Sequence, residues 1–175
     1  MALPVQSVQL GLLSQTKLRL TLTEKSNLIE ATPWADGFSF AQVQKLAAYM
    51  DVYQVAAETV LFYEGDRNVY LVLIVRGAVH VVKFDSQRNP RHITTVGAGR
   101  TIGEMGLIDG EPRSASAVTG ADSVLLVMTA EKFARLMKDL PAVAMVLVLK
   151  IAKLMSQYLR QTSGRLIDNL SGGTP

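Results

Sequence analysis

The sequence predicts a mainly β protein with flanking helices, in which antiparallel strands form a sandwich or a barrel. In the middle of the chain, short runs rich in β-branched and aromatic residues alternate with segments typical of turns. Such close spacing leaves no room for the helices that connect parallel strands, so we expect antiparallel pairing. The runs are ETVLFY, VYLVLIV, AVHVVKF, RHITTV, SASAV and SVLLVM, separated by EGDRN, RG, DSQRNP, GAG and TGADS.

Helical segments are predicted on the N-terminal side of this region. Residues 1–33 form a predicted N-terminal extension, where KLRLTLTEK alternates like a strand and SNLIEAT fits a helical turn, so both structures stay open. A helix is predicted over residues 39–50, with Ser39 as its N-cap and one buried stripe of apolar side chains. The stripe consists of Phe40, Val43, Leu46, Ala47 and Met50.

The C-terminal part is predicted to hold two further helices. Thr129, or the turn before it, can cap AEKFARLMKD, and Pro141 suits the first position of a second, much longer helix. The first half of the long helix is apolar nearly all round, which predicts burial on more than one side. The final SGGTP predicts a frayed end.

Composition indicates a globular protein and excludes several kinds of site. Apolar residues make up 49% and charged residues 19%, as in soluble domains. The chain has no cysteine, and its two histidines, His80 and His92, stand apart, so we predict no disulfide and no metal site. No catalytic set of Ser, His and Asp can be assembled, there is no P-loop, and GAGRTIG has the wrong spacing for a dinucleotide site. We therefore predict that the chain is not an enzyme and carries no cofactor.

The chain is expected to be cytoplasmic. Its N terminus shows no secretory signal, and the absence of cysteine fits a reducing compartment. The longest apolar runs, residues 69–75 and 143–149, are too short to span a bilayer, so we expect no membrane span.

Basic residues are concentrated between Arg67 and Arg100. This stretch contains six Lys or Arg and one acidic residue, Asp85, whereas the net charge of the whole chain is only +3. A solvated hairpin face explains this distribution most simply, and a weak anion-attracting patch is the alternative.

The segment from residue 101 to residue 118, TIGEMGLIDGEPRSASAV, has the composition of a site that wraps an anion. Its glycines allow the backbone to approach a ligand, and EMGLI is long enough for one helical turn whose free N–H groups attract anions. Arg113 offers a planar fork that matches a phosphate, and ionised Glu104 accepts a hydrogen bond from a sugar hydroxyl. The alternative is a structural ion pair between Glu104 and Arg113 without a ligand.

These residues resemble those of a known family. IGEMGLIDGEPRSASAV resembles the phosphate-binding cassette of cyclic nucleotide-binding domains, and FYEGDRNVYLVLIVRGAVHV is similar to their glycine–aspartate turn and next hairpin glycine. The resemblance runs from about Phe38 to Arg160. It implies an antiparallel β-roll or jelly-roll barrel with an N-terminal helix and long C-terminal hinge and lid helices. The implied domain covers residues 34–165, followed by a tail over residues 166–175.

The same resemblance implies a set of ligand-binding residues. Glu104 would take the ribose 2′-hydroxyl and Arg113 the cyclic phosphate, while Ser114 and the backbone N–H of Ala115 would complete the phosphate cradle. Three neighbours are implied contacts, with Gly103 letting the sugar lie close and Ile102 and Met105 supplying apolar surface.

A regulatory domain with a ligand-driven conformational switch is the implied function. Ser114 is similar to the residue found in bacterial catabolite activators, which use cAMP, and this favours cAMP over cGMP. The polar pair that meets adenine in those activators falls near Tyr158 and Leu159. Nearby polar residues that would take the place of this pair are Gln157, Gln161 and Thr162. The alternative is a degenerate domain that serves protein interaction or dimerisation without nucleotide.

Two expectations concern macromolecular partners. The long helix offers a homodimer seam at Val148, Ile151, Met155 and Leu159, although a lid would need the same face. The family's activators carry a helix-turn-helix after the lid helix, which needs about sixty more residues. Because about ten residues follow Arg165, we expect no DNA binding by this chain.

Overall fold

The computed structural model describes residues 11–12, 15–87 and 89–171. Short strands alternate with turns through the middle of the chain, and helices lie on both sides. The strands are β1 (Thr16–Leu18), β2 (Asp51–Val55), β3 (Val60–Phe62), β4 (Tyr70–Arg76), β5 (Ala78–Phe84), β6 (Pro90–Gly97), β7 (Thr101–Ile102), β8 (Ser116–Thr119) and β9 (Ser123–Thr129). The helices are α1 (Leu22–Glu30), a 3-10 helix (Pro33–Ala35), α2 (Phe40–Ala47), α3 (Glu104–Asp109), α4 (Ala130–Asp139) and α5 (Pro141–Ser171).

The strands form a β-roll of two sheets, which confirms the predicted mainly β fold with flanking helices. One sheet has the order β1-β2-β9-β4-β7 and the other the order β3-β8-β5-β6, and every ladder is antiparallel. The roll is not a closed barrel, because among the described residues no ladder joins the two sheets. Instead, the inner faces of the sheets pack against each other around residues such as Val72, Ile74, Val79 and Ala117.

A second core lies between the five-stranded sheet and the helices. Side chains alternate along β4, so that Val72 points into the roll whereas Leu71 and Leu73 point towards the helices. Both faces of β4 are therefore buried, which explains why its sequence is a continuous apolar run rather than an alternating one.

The N-terminal segment contains both of the structures that its sequence left open. β1 pairs with β2, and α1 follows, with Thr21 and Glu24 forming a reciprocal capping box. Ile29 of α1 is buried in the helix-side core. The domain boundary at residue 33 stays a prediction.

Helix α2 begins as predicted, since the side chain of Ser39 accepts a hydrogen bond from the backbone N–H of Gln42. Four of the five predicted apolar positions are fully buried, at Val43, Leu46, Ala47 and Met50. The prediction for Phe40 is wrong, because at the first helical position its side chain is exposed.

Helices α4 and α5 also begin at their predicted residues, Thr129 as the N-cap of α4 and Pro141 as the first residue of α5. The predicted burial of the first half of α5 on more than one side is wrong. Leu147 and Ile151 face the core, but Met145 is 58% exposed and Leu149 is 54% exposed. In this half of the helix, one face packs on the domain and the opposite apolar face lies at the surface.

Helix α5 bears on the expectation, drawn from the short apolar runs, that the chain does not span a membrane. Its stretch Pro141–Gly164 has a mean hydropathy of 1.6 over a window of 18 residues, which makes it long and apolar enough to cross a membrane. Length and composition alone are weak evidence, because core helices of soluble proteins pass the same test. Of the predicted frayed end, residues 172–175 lie outside the described residues.

Candidate functional site

The site is built on the sharp turn between β7 and α3. Gly103 has φ +77° and forms the N-cap of α3, which is the short helical turn predicted from the sequence. A Cβ atom at this position would lie 2.5 Å from Nη1 of Arg113 and 2.6 Å from the carbonyl oxygen of Tyr70. Only glycine therefore fits, both for its backbone conformation and for the approach of Arg113.

The side chain of Arg113 is 4% exposed and reaches back to this turn. Its Nη1 donates a 3.0 Å hydrogen bond to the carbonyl oxygen of Gly103. The guanidinium carbon lies 4.0 Å from the ring centre of Phe62 and 4.3 Å from that of Tyr70, so two aromatic rings support the cation. Burial lowers the pKa of Arg113, but a guanidinium keeps its charge in proteins.

Two donors of this guanidinium are buried without a partner, Nε and Nη2. They lie along the same edge of the planar group, where two parallel N–H bonds match an anion bidentately. Buried polar groups are nearly always paired, so an unpaired pair of donors indicates a ligand-binding edge.

The backbone of Arg113 is held by the turn between β3 and β4. The N–H of Arg113 donates to the carbonyl oxygen of Asp66 at 2.9 Å, and the N–H of Gly65 donates to the carbonyl oxygen of Arg113 at 2.8 Å. The Asp66 carboxylate in turn accepts a 2.8 Å hydrogen bond from the N–H of Tyr63, which stiffens the turn. The glycine–aspartate turn thus fixes the position of the arginine.

Glu104, the first residue of α3, is 5% exposed, and its Oε2 atom is buried without a hydrogen-bond partner. Burial raises the pKa of this carboxyl group, while its own backbone amide and the charge of Arg113 act in the opposite direction. Within the described chain Glu104 and Arg113 form no direct ion pair, so the structural ion pair considered from the sequence is absent. The site therefore holds an unpartnered acceptor close to an unpartnered edge of donors.

The other predicted site residues occupy the surroundings of this pair. Ile102 is buried in the interior of the roll. Met105 and Ser114 are exposed and touch each other, with the Ser114 hydroxyl 3.9 Å from the Met105 sulfur. Ala115 is half-buried just before β8 begins. The structure thus brings Gly103 into direct contact with Arg113 and places the remaining residues around them.

Sequence reasoning missed the aromatic support of the arginine. Phe62 and Tyr70 lie far from Arg113 in the chain, and the sequence signal that includes both is the family-like segment FYEGDRNVYLVLIVRGAVHV. Burial raises the pKa of Tyr70 to about 12, and its hydroxyl donates a 2.6 Å hydrogen bond to the carbonyl oxygen of Leu61. Tyr70 therefore acts as a neutral, fixed platform.

Tyr158 of helix α5 lies within electrostatic reach of the site. Burial raises the pKa of Tyr158, and the negative charge of Glu104 adds to this effect, which places the two groups within electrostatic reach. Leu159 is exposed, so of the two lid positions expected from the sequence only Tyr158 is half-buried. The three polar substitutes expected nearby are all exposed, namely Gln157, Gln161 and Thr162.

Comparisons with known proteins agree with this geometry. A family model described as "Cyclic nucleotide-binding domain" matches residues 53–139. The crystal structure of a cyclic nucleotide-binding domain from Methylobacillus flagellatus is 30% identical and superposes with a TM-score of 0.74, covering 85% of this chain and 83% of that one. The chain belongs to the cyclic nucleotide-binding domain family.

Longer relatives share this domain over part of their length. The cyclic AMP receptor protein of Thermus thermophilus is 35% identical over 101 residues, which are 58% of this chain and 45% of that protein. The structure of the Thermus thermophilus catabolite activator protein is 31% identical, with a TM-score of 0.68, and the match covers 80% of this chain and 63% of that one. The domain therefore spans only about half of the length of the receptor protein that it matches.

The donors and acceptors present suit an organic anion rather than a metal ion. Among the described residues, no group of three or more His, Asp or Glu side chains could hold a metal. The domain instead offers one cationic edge, one buried carboxylate and apolar surface, which can bind a phosphate and an adjacent hydroxyl.

Proposed function

We propose that this domain binds a cyclic nucleoside monophosphate, with cAMP preferred over cGMP, and acts as a ligand-driven conformational switch. One observation carries the proposal: Nε and Nη2 of Arg113 and Oε2 of Glu104 are all buried without a hydrogen-bond partner, and the charge of each group affects the pKa of the other. A cyclic phosphate next to a ribose 2′-hydroxyl supplies the acceptor and the donor that these groups need.

The proposed ligand-binding roles are those that the family resemblance implies. Arg113 binds the phosphate bidentately, and Ser114 with the Ala115 N–H completes the cradle. Glu104 accepts a hydrogen bond from the ribose 2′-hydroxyl. The remaining proposed contacts are Gly103 and Met105 at the sugar and Ile102 beneath the ligand.

Two observations support the preference for cAMP. One is Ser114, and the other is the similarity of the chain to a cyclic AMP receptor protein and a catabolite activator protein. Tyr158 of α5 is a candidate for an aromatic lid, because its side chain is half-buried and the charge of Glu104 raises its pKa. We propose that its ring covers the base.

The switch requires contacts that differ between two positions of α5. In the present structure Lys150 of α5 donates a 2.8 Å hydrogen bond to the carbonyl oxygen of Asp36 and lies over the rings of Trp34 and Phe38. These contacts hold the middle of α5 against the 3-10 helix region. A nucleotide that binds Tyr158 adds contacts further along the helix and shifts its position.

A homodimer is proposed through α5, but with a different seam from the one expected. Val148, Ile151 and Met155 pack against the domain's own core, so that face is occupied. Exposed residues instead repeat at intervals of three and four, the spacing of a coiled-coil seam. They are Ala142, Met145, Leu149, Ala152, Ser156 and Leu159.

We propose that the chain is a cytoplasmic regulator that does not catalyse a reaction and does not bind DNA itself. Calorimetric titration of protein freed of co-purified nucleotide, with cAMP, cGMP and 2′-deoxy-cAMP, tests the binding. We expect cAMP to bind most tightly, and 2′-deoxy-cAMP to bind more weakly because Glu104 loses its donor. No binding of any of the three would favour the alternative, a degenerate interaction or dimerisation domain.

A further inference from the structure

Lys83 lies on the inner face of β5, next to the cassette. The ladder between β5 and β8 runs without a register shift as far as the pair Val82↔Ser116, and Lys83 is the next residue of β5. Side chains alternate along a strand, and Val81 packs against the interior of the roll. Lys83 therefore continues the inward-facing row at the point where the roll opens.

The ammonium group of Lys83 is held at the cassette by two contacts. Its Nζ donates a 3.1 Å hydrogen bond to the carbonyl oxygen of Ser114, the residue after Arg113. It also forms an ion pair with Glu64, with Nζ 3.3 Å from Oε1. The side chain is 53% exposed, so the charge stands at the mouth of the site rather than in the core. An ammonium group has three donors, and these two contacts leave one for a ligand.

With a phosphate bound, the site would need a second cation to balance its negative charges. Glu104 opposes the charge of Arg113 within the pocket, as the pKa of each group shows. A cyclic phosphate adds a negative charge, which Arg113 alone cannot balance while Glu104 is ionised. Lys83 is a further basic residue in contact with the cassette, and it belongs to the basic stretch between Arg67 and Arg100.

We propose that Lys83 is a second phosphate-binding residue, which donates to an oxygen of the cyclic phosphate beside Arg113. The inference rests on the proposed function, because it assigns a further residue to the same site. Glu64 then competes with the phosphate for the ammonium group, and nucleotide binding weakens the Lys83–Glu64 ion pair.

This competition predicts that substitutions of Lys83 and of its ion-pair partner Glu64 change the affinity for cAMP in opposite directions. Lys83→Met weakens cAMP binding by about three- to tenfold, as expected for an exposed charge-assisted contact. Lys83→Arg retains most of the affinity, because it keeps a cation at the mouth. Glu64→Gln strengthens binding by about twofold, since it removes the competing carboxylate. A purely structural ion pair would give losses for both Lys83→Met and Glu64→Gln.

The experiment is a calorimetric titration of the nucleotide-free full chain with cAMP. Lys138→Met serves as the matched control, because it removes the same charge from an exposed site on α4. Titrations from about 0.05 to 0.5 M NaCl measure how strongly screening weakens binding. We expect a shallower salt dependence for Lys83→Met than for the wild type and Lys138→Met. Thermal unfolding verifies that each variant is folded, and Lys83→Gln is a second neutral variant.

Two outcomes would overturn the inference in different ways. If the wild type binds cAMP and Lys83→Met or Lys83→Gln binds it equally well, Lys83 does not contact the phosphate and the proposed function stands. If the wild type binds no cyclic nucleotide, the proposed function fails and the role of Lys83 fails with it.

Discussion

Nη1 of Arg113 donates a 3.0 Å hydrogen bond to the carbonyl oxygen of Gly103, and this contact divides the guanidinium into two parts. One nitrogen is committed to the protein, while Nε and Nη2 are buried without partners. The contact exists because Gly103 has no side chain, since a Cβ atom would lie 2.5 Å from the same nitrogen. The glycine and the arginine therefore form one unit that presents a fixed cationic edge.

The aromatic support of Arg113 predicts an effect of Phe62→Leu on binding. Loss of the ring 4.0 Å from the guanidinium carbon removes a cation–π contact worth about 1 kcal/mol. We expect cAMP affinity to fall about fivefold, because the arginine is held less firmly. Phe84→Leu, at an exposed position on β5, is the control and should leave the affinity unchanged. Equal affinities for both variants in calorimetric titration would show that the ring does not position Arg113.

The burial of Glu104 predicts that nucleotide binding depends on pH. Burial raises the pKa of its carboxyl group above the ordinary value, so it takes up a proton at a higher pH than an exposed glutamate. A ribose hydroxyl donates to the ionised form, so binding releases a proton and affinity falls as the pH falls through the raised pKa. Without ligand the sign is reversed: the folded state holds the proton more tightly, so stability falls as the pH rises between the ordinary and raised pKa.

Calorimetry in two buffers with different heats of ionisation measures this proton release. We expect release in the wild type in that pH range and none in Glu104→Gln, which also binds cAMP more weakly. The hydroxyl role of Glu104 would be rejected if the variant kept the pH dependence of the wild type.

Much of the fold and the cassette could be predicted because their signals are local. Ser39 and Thr129 cap helices through their own side chains, and Pro141 starts α5 through its own ring. The cassette likewise combines a turn glycine, an acid and an arginine within one short segment, from Gly103 to Arg113. Such features need no knowledge of distant contacts.

The features that sequence reasoning missed depend on distant contacts. β7 has only two residues, Thr101–Ile102, and is a strand because it pairs with β4. β2 is short and contains Gln54, so its sequence gave little indication of a strand. One face of α5 is exposed because the domain packs against its other face. An apolar composition does not show which face of a helix is covered. Phe62 became part of the site through the position of β3 in the sheet.

The contacts of Lys150 predict a fluorescence signal for movement of α5. Its Nζ lies 5.7 Å from the ring centre of Trp34, which is the single tryptophan of the chain. If nucleotide binding moves α5, the emission of Trp34 should change when cAMP is added. The change should be smaller in Lys150→Met, where the contact is already lost, and normal in Lys153→Met, an exposed neighbour. Constant emission at saturating cAMP in the wild type would place the movement elsewhere.

The exposed face of α5 predicts a dimer that one charge disrupts. Leu149→Glu places a carboxylate in the centre of the proposed seam, so we expect the wild type to sediment as a dimer and the variant as a monomer. Leu22→Glu, at a similarly exposed leucine on α1, should remain dimeric. A wild type that is monomeric at all concentrations contradicts the seam, and one that partitions into lipid vesicles indicates instead a membrane role for Pro141–Gly164.

The central claim is that the free edge of Arg113 binds the phosphate of a cyclic nucleotide, and Arg113→Met tests it most directly. Methionine fills the space beside Phe62 and Tyr70 without the charge or the two donors. In calorimetric titrations with cAMP, we expect the wild type and the exposed control Arg135→Ala to bind alike. We expect Arg113→Met to lose about 3 kcal/mol of binding free energy, a loss of more than about a hundredfold in affinity. A folded Arg113→Met protein that binds cAMP as tightly as the wild type would contradict the account.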